Sequence, residues 1–539
     1  ILEALFPTVI NFVASGQMLP EAISELLQME GLSGADYVAD LNTIVSILED
    51  VQNMGLVSIL QGIANNDMNS ITLRNLDNIV TIFDKVIKLR FWDNKRIETI
   101  ETILTICGVE VTNELDGLDT AKENQILLDV FRELVSLVDT LFATEGQVVV
   151  GDVIEYFNGL DNAEYAKLLN NGLLTIANIF ETLSESAYVR VLTAPIYSQL
   201  IQPSLEEAFV GVVGEQNTSI VSLDCYLDNP QALSDDLAKI ALFFRQLHTT
   251  ELINIIFDSS FLINYGQLRY LADAVETIFS LEILASKEAV IVDILNYMAE
   301  GYVLSDGNID FSKDGTTFKD IINTLLDFAN SGVVCINTFA DVELAMSGQI
   351  QILYENLLCG GQPAIKLVFD ALKTVGKLTF LDEVFAFAHN LVKENVTLPE
   401  GLEFLIELGP NGTPGLVGDY VTIITAVEDI FDLGYCDLLI GKDVKIEFAA
   451  TLAHVVDSFF NLDFFQGKGD KVIEYAADMI EYPGLAEELP HNWAAENEAF
   501  ANIFYQLESI MYEWGLFYVS DFGTFVNSLV DMNAIVELF

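Results

Sequence analysis

Apolar residues recur at helical spacing from one end of this chain to the other, and that limits its fold more than any other feature. The i, i+3, i+4, i+7 pattern appears at Leu41/Ile44/Val45/Leu48, Leu76/Ile79/Val80/Phe83, Leu127/Val130/Phe131/Leu134, Ile176/Ile179/Phe180/Leu183 and Leu237/Ile240/Ala241/Phe244. It continues at Leu271/Ala274/Val275/Ile278, Phe318/Ile321/Ile322/Leu325, Ile365/Val368/Phe369/Leu372, Tyr420/Ile423/Ile424/Val427, Leu452/Val455/Val456/Phe459 and Phe500/Ile503/Phe504/Leu507. The starts lie about 46 residues apart on average, in the range of two-helix or three-helix repeat units. Because half of the residues are apolar, a single match carries little weight. The residues just after the matches carry more: a short break leads to a second apolar knot, as in ILEDVQNMGLVSIL, VEDIFDLGYCDLLI, VVDSFFNLDFF, LESIMYEWGLFYV and ALKTVGKLTFL. A helix, a tight turn and a second helix leaning back on the first account for that sequel.

The pattern predicts a mostly α chain of irregular helical-hairpin repeats, stacked as an elongated or curved α-solenoid-like body with few or no strands. The spacing is too ragged for a repeat with a fixed loop. Two short β-branched runs beside glycines, GQVVVGD at 146–152 and FVGVVG at 209–214, predict caps or small hairpins. Proline and glycine cluster at 193–230 (with Pro195, Pro203 and Pro230), 305–316, 359–363, 409–418 and 481–492. The first cluster is the longest. It predicts N-terminal helical repeats over 1–192, an irregular connection over 193–230 and C-terminal repeats over 231–539, or one continuous array running through the connection.

Charge decides what such a body can meet. Against 81 Asp and Glu stand 24 Lys and Arg, a formal net charge of −57, yet 51% of the residues are hydrophobic, and the mean hydropathy is +0.39. A disordered acidic chain lacks the apolar residues for a core, and a membrane protein gathers them into long uncharged runs that this sequence does not contain. A large core under an acidic skin is the expectation. Nucleic-acid phosphates and anionic membrane surfaces repel such a skin, so the expected partner is a protein or a second copy of the chain, with an apolar ligand as the alternative. Five cysteines (Cys107, Cys225, Cys335, Cys359 and Cys436) lie far apart without a C-x-x-C pair, which fits small buried residues better than a disulfide scaffold or a zinc ribbon. The sequence begins Ile-Leu-Glu with no basic-then-apolar leader, and the expected compartment is extracellular or cell-surface, with any signal segment outside this sequence.

The sharpest local motif is SDGNIDFSKDGTTFKD at 305–320. Asp310, Ser312, Asp314, Thr316 and Asp320 alternate oxygen-bearing side chains around Gly315, close to a calcium loop, although the closing acid comes one place early. The competing reading is an acidic turn that caps a helix. Calcium is the one cofactor the sequence suggests. A second feature is the only concentration of positive charge, DKVIKLRFWDNKR, where Lys85, Lys88, Arg90, Lys95 and Arg96 surround Trp92. It reads either as a contact for an acidic partner surface with Trp92 as anchor, or as cations that neutralise carboxylates within the fold.

The histidines (His248, His389, His454 and His491) form no H-E-x-x-H, and His389 and His454 sit in apolar helical stretches that predict hydrogen-bonded core residues. The glycine-rich GPNGTPGLVGDY at 409–420 lacks the lysine of a phosphate loop and reads as a turn. The sequons at Asn217, Asn395 and Asn411 locate nothing. Carboxylate pairs suited to glycoside hydrolysis are everywhere in so acidic a chain, but 3 Trp and 4 His leave few aromatic platforms and donors for a sugar cleft. The resulting reading is a non-enzymatic structural or interaction protein that binds by shape and charge and can self-assemble. A carrier of an apolar ligand between helices is the first alternative, and a helical-toroid carbohydrate-active enzyme is the second.

Overall fold

Every one of the apolar patterns lies in a helix, and the helices that carry them are numbered in chain order. They are α1 (Gly34–Asn53), α2 (Leu76–Ile87), α3 (Thr120–Phe142), α4 (Asn162–Ser184), α5 (Pro230–Thr250), α6 (Tyr265–Phe279), α7 (Phe311–Asn330), α8 (Ile365–Val375), α9 (Gly412–Asp432), α10 (Ala449–Phe460) and α11 (Trp493–Glu513). The computed structural model describes residues 33–53, 76–110, 115, 118–142, 159–298, 309–332, 336–347, 358–359, 362–399, 401–434, 442–486, 489–521 and 523–524. Local chemistry sets several of the starts. Asp161, Asn264, Asp310 and Asn492 each accept a hydrogen bond from a backbone amide in the first turn of α4, α6, α7 and α11, and Pro230 opens α5 where its missing N–H costs nothing. Gly434 and Gly515 follow α9 and α11 at φ of 103° and 77°, left-handed conformations that end a helix at little steric cost. Among the described residues the strands amount to Leu358–Cys359 paired antiparallel with Gln362–Pro363.

The chain divides into two compact units, Ile1–Lys287 and Glu288–Phe539. In the first, each helix from α1 to α6 packs against the next, and in the second so does each helix from α7 to α11. The stretch 193–230, expected to be irregular, lies inside the first unit and is helical almost throughout, with Pro195 accommodated in the last turn of the helix Ala187–Ile196 beside a π-helical turn at Tyr197–Ile201. Its residues join the first unit's core: Ala194 and Tyr226 pack with Ala232 and Leu233 of α5, and Val189, Leu223 and Leu237 lean on them. The run 209–214 is not a strand either. It is the end of the helix Gln202–Val213, closed by Gly214 at φ 85°. A prolonged helix wins there because every backbone donor is satisfied locally, whereas a lone strand would lack a partner. The run 146–152 lies outside the described residues.

One device recurs in both units. An odd-numbered helix places a buried carboxylate near its start, and that carboxylate accepts backbone N–H groups at the junction just after the following even-numbered helix. Asp40 of α1 takes Arg90 N at 2.8 Å. Glu123 of α3 takes Ala187 N at 2.8 Å and the Ser186 hydroxyl at 2.7 Å. Asp236 of α5 takes Glu282 N at 2.9 Å, Ile283 N at 3.0 Å and the Tyr226 hydroxyl at 2.7 Å. Asp314 of α7 takes Thr379 N at 2.6 Å and its hydroxyl at 2.7 Å, and Asp419 of α9 takes Asp463 N at 2.6 Å and Phe464 N at 2.7 Å. All these carboxylates are buried, where only such donors offset the loss of hydration, at about 1.5–3 kcal/mol per charge-assisted bond.

The locked junctions follow one another at roughly 85 to 97 residues, twice the interval of the apolar pattern. The lock therefore recurs once for every two of the long helices. The shorter interval marks each helix separately, because both members of a hairpin face neighbours and so carry the same stripe. Packing is close at the last lock: a Cβ on Gly415 of α9 would collide with the Asp463 carboxylate.

Candidate functional site

In the second unit α10 and α11 run antiparallel, as three contacts show: Glu508 accepts from Ala449 N at 2.7 Å, Asn497 Nδ2 donates to Asp457, and the Phe460 and Trp493 rings lie 5.6 Å apart. Between them lies an open groove with a volume of about 580 Å³, within the size range of small-molecule sites. On α10 its lining comes from Ala450, Ala453, His454, Asp457 and Phe460, and on α11 from Ala494, Asn497, Glu498, Ala501 and Tyr505. Each set falls at i, i+3, i+4 and i+7, one face of a helix. Where facing stripes elsewhere are Leu, Ile and Phe, these carry alanine and polar side chains, and the space they leave is the groove.

The polar groups are mainly acceptors. Asp457 receives Nδ2 of Asn497 and, at 3.0 Å, Nδ2 of Asn461. The Asn497 Oδ1 is buried without a hydrogen-bond partner. Glu498 is exposed at the rim. His454 bonds the Ser458 hydroxyl at 3.1 Å and lies 3.9 Å from Asp429 Oδ2, a buried oxygen that accepts no hydrogen bond. Trp493 forms a firm end wall: its Nε1 donates to Asp470 at 3.0 Å, and its ring meets Phe465 edge-on at 5.7 Å. Only glycine fits beneath it, because a Cβ on Gly469 would enter the indole. Two carboxylates, two carboxamides and aromatic edges make a site suited to a hydrogen-bond-donating ligand.

The sequence-nominated residues fall elsewhere. The segment expected to form a calcium loop is the start of α7. Asp310 caps that helix by accepting from Lys313 N at 2.9 Å, the Thr316 hydroxyl donates back to the Ser312 carbonyl at 3.3 Å, and Asp314 is spent on Thr379. Ser312 and Asp320 are helical as well. A helix spreads these side chains around its axis, so their oxygens do not converge as a loop would require. Among the described residues no group of three or more His, Cys, Asp or Glu side chains could hold a metal ion.

The basic segment is drawn inward. Lys85 pairs with Asp50 and donates to the Ser46 hydroxyl at 2.8 Å, Lys88 pairs with Asp84 at 2.6 Å, and Arg90 pairs with Asp36. The Ser33 hydroxyl and amide, and then Arg90, hold the Asp36 carboxyl down to about 2. Arg96 is 2% exposed. It donates to the carbonyls of Thr120 at 3.0 Å and Ile87 at 3.2 Å, with its guanidinium 5.5 Å from the ring centre of the half-buried Trp92. Arg96 is thus part of the core, and the Lys95 side chain lies outside the described residues.

His389 is half-buried and lies 2.6 Å from the Ile406 carbonyl, whereas His454, expected in the core, is exposed on the groove. Asn217 is buried and donates to the Val213 carbonyl at 2.8 Å, which leaves its sequon no access to solvent. Cys107 is exposed and Cys225 half-buried, both as free thiols; Cys335 and Cys436 fall outside the described residues. The glycine-rich 409–420, read as a turn, turns only briefly before α9 begins at Gly412. No described helix is long and apolar enough to cross a membrane. Sequence reasoning missed the groove, although its signal was present: AxxAHxxD and AxxNExxA place small and polar residues where an apolar stripe was expected. Comparison with protein-family models, with curated proteins and with solved structures finds no match to this chain.

Proposed function

We propose that this chain is a non-enzymatic interaction scaffold. Its hairpins stack in sequence order as an elongated or curved α-solenoid-like body, which works at or outside a cell surface and recognises protein partners by shape and charge. The observation that carries this reading is the repeated carboxylate lock. A hairpin array needs each hairpin held at a set angle to its neighbour, and one buried acid per hairpin, bonded to the far junction, does that. The acidic skin supports it as well. Much of the small complement of Lys and Arg is bound to carboxylates within the fold, and the excess of acid faces solvent, where it keeps a large apolar body dispersed and favours a cationic partner.

Small-angle X-ray scattering of the whole chain at physiological salt tests the architecture on which this function rests. A compact body of this length has a radius of gyration of about 24 Å. The proposal expects a value at least a third larger, with a skewed distance distribution. A value near 24 Å would overturn it.

A further inference from the structure

The even-numbered helices α2, α4, α8 and α10 each carry a carboxylate in their last turns, and what that carboxylate meets differs in α10. Asp84 of α2 has Lys88, Glu181 of α4 has Arg245 from α5, and Asp370 of α8 has Lys373 at 3.1 Å. Cations also cross the interfaces between hairpins. Arg245 of α5 donates to Asn178 of α4 at 3.0 Å, Lys373 of α8 reaches Glu428 of α9 at 2.7 Å, and Lys366 reaches Asp432 at the same distance. The α10/α11 interface keeps the aromatic contact of its counterparts: Phe460 stacks on Phe500 at 6.1 Å, as Phe180 does on Phe244 at 5.7 Å. Among the described residues it has no Lys or Arg to match. Neither α10 nor α11 contains a Lys or Arg, and Asp457 is bonded to the amides of Asn461 and Asn497.

We infer that the groove between α10 and α11 binds an organic cation, an ammonium or guanidinium group carried on an apolar stem. The cation replaces the Lys or Arg that the α4/α5 and α8/α9 interfaces supply for themselves. Its N–H groups meet Asp457, Glu498 and the orphaned Asn497 Oδ1, and its stem lies along the alanine floor towards Trp493 and Tyr505. An organic group fits better than a metal ion, because the acceptors are spread along two helix faces and only two of them are carboxylates. This inference concerns one groove and does not depend on how the hairpins are arranged along the chain.

The test is calorimetric titration of the whole chain with n-butylguanidinium at 0.15 M NaCl, against the neutral, equally shaped n-butylurea. The expected result is saturation at one site by the cation and at least tenfold weaker binding of the urea. Asp457→Asn with Glu498→Gln should weaken the cation at least tenfold, and Ala501→Lys, which supplies the chain's own cation, should abolish binding with the helical circular dichroism unchanged. Equal binding of urea and guanidinium would overturn the inference, and so would an affinity unmoved by the double substitution, which would mean diffuse attraction to an acidic surface. An alanine-rich helical peptide with a single arginine separates the two sources of such a group. Binding tenfold tighter than the free cation identifies a protein side chain, and equal binding identifies a small amine or guanidine.

Discussion

α5 and α11 are both 21 residues long and read alike as apolar-striped helices, yet the structure uses them differently. α5 buries Ala232, Leu233, Ser234, Asp236, Ala241 and Thr250, whereas α11 has no buried residue. α5 lies against α4, α6 and the shorter helices Ala187–Ile196 and Asp224–Asp228, while α11 packs chiefly on α10. Ile503, Leu507 and Ile510 of α11 stay 41–50% exposed. The stripe on a helix states which face can be covered; it does not state that anything covers it. Their acids differ in the same way. Asp236 of α5 gathers three donors in the core, whereas Glu508 of α11 caps a single amide from a half-buried position.

The sharpest way to break the comparison is to remove both acids. Asp236→Ala orphans two junction amides and a tyrosine hydroxyl, and should cost about 4 kcal/mol, with hydrogen exchange at Glu282 and Ile283 losing its protection. Glu508→Ala should cost about 1 kcal/mol, the usual size of a lost helix cap. Equal costs would mean that the burial contrast between the two helices does not govern their stability.

Side-chain truncation tests the same contrast without touching charge. Leu233 is 7% exposed and sits in the core cluster, and Leu507 is 47% exposed. Leu233→Ala should lower stability by about 3 kcal/mol in urea unfolding, and Leu507→Ala by under about 1 kcal/mol. A larger loss at Leu507 would show that the face of α11 is covered in solution, by a second copy or by another part of the chain.

The smallest effect expected concerns the Tyr226 hydroxyl that bonds Asp236. Burial first, and then that hydrogen bond, raise its pKa well above the ordinary 10.0. The folded state therefore keeps a proton that the unfolded state loses above about pH 10, so this contribution is complete below pH 10 and is lost as pH rises further. Tyr226→Phe should cost about 1 kcal/mol at neutral pH, and its urea midpoint should fall less steeply than that of the parent between pH 10 and 11. Parallel slopes would remove Tyr226 from the lock.

How much of this is legible in the sequence depends on the kind of information each residue carries. The helices are readable because a 3.6-residue apolar period is written into consecutive residues, and every such pattern is a helix in the structure. The hairpin unit is readable only at half its length, since both of its helices carry the same stripe. The locking acids are not readable. Asp236, Asp314 and Asp419 look like any other of 81 acids until a junction tens of residues away arrives to donate to them. For the same reason the sequence alone makes Asp314 resemble a calcium ligand, and Arg96 a surface cation.

Composition and periodicity, then, are enough to settle that the chain is helical and carries a large excess of acid, because those properties follow from each residue's own chemistry and from the residues three and four places away. Which carboxylates are buried, which cations are consumed and where two helices fail to fill the space between them depend on distant segments meeting. The α10/α11 groove exists only because alanines on one helix face alanines on another some 50 residues along the chain. Packing decides such matters, and packing is a property of pairs of faces that no single stretch of sequence contains.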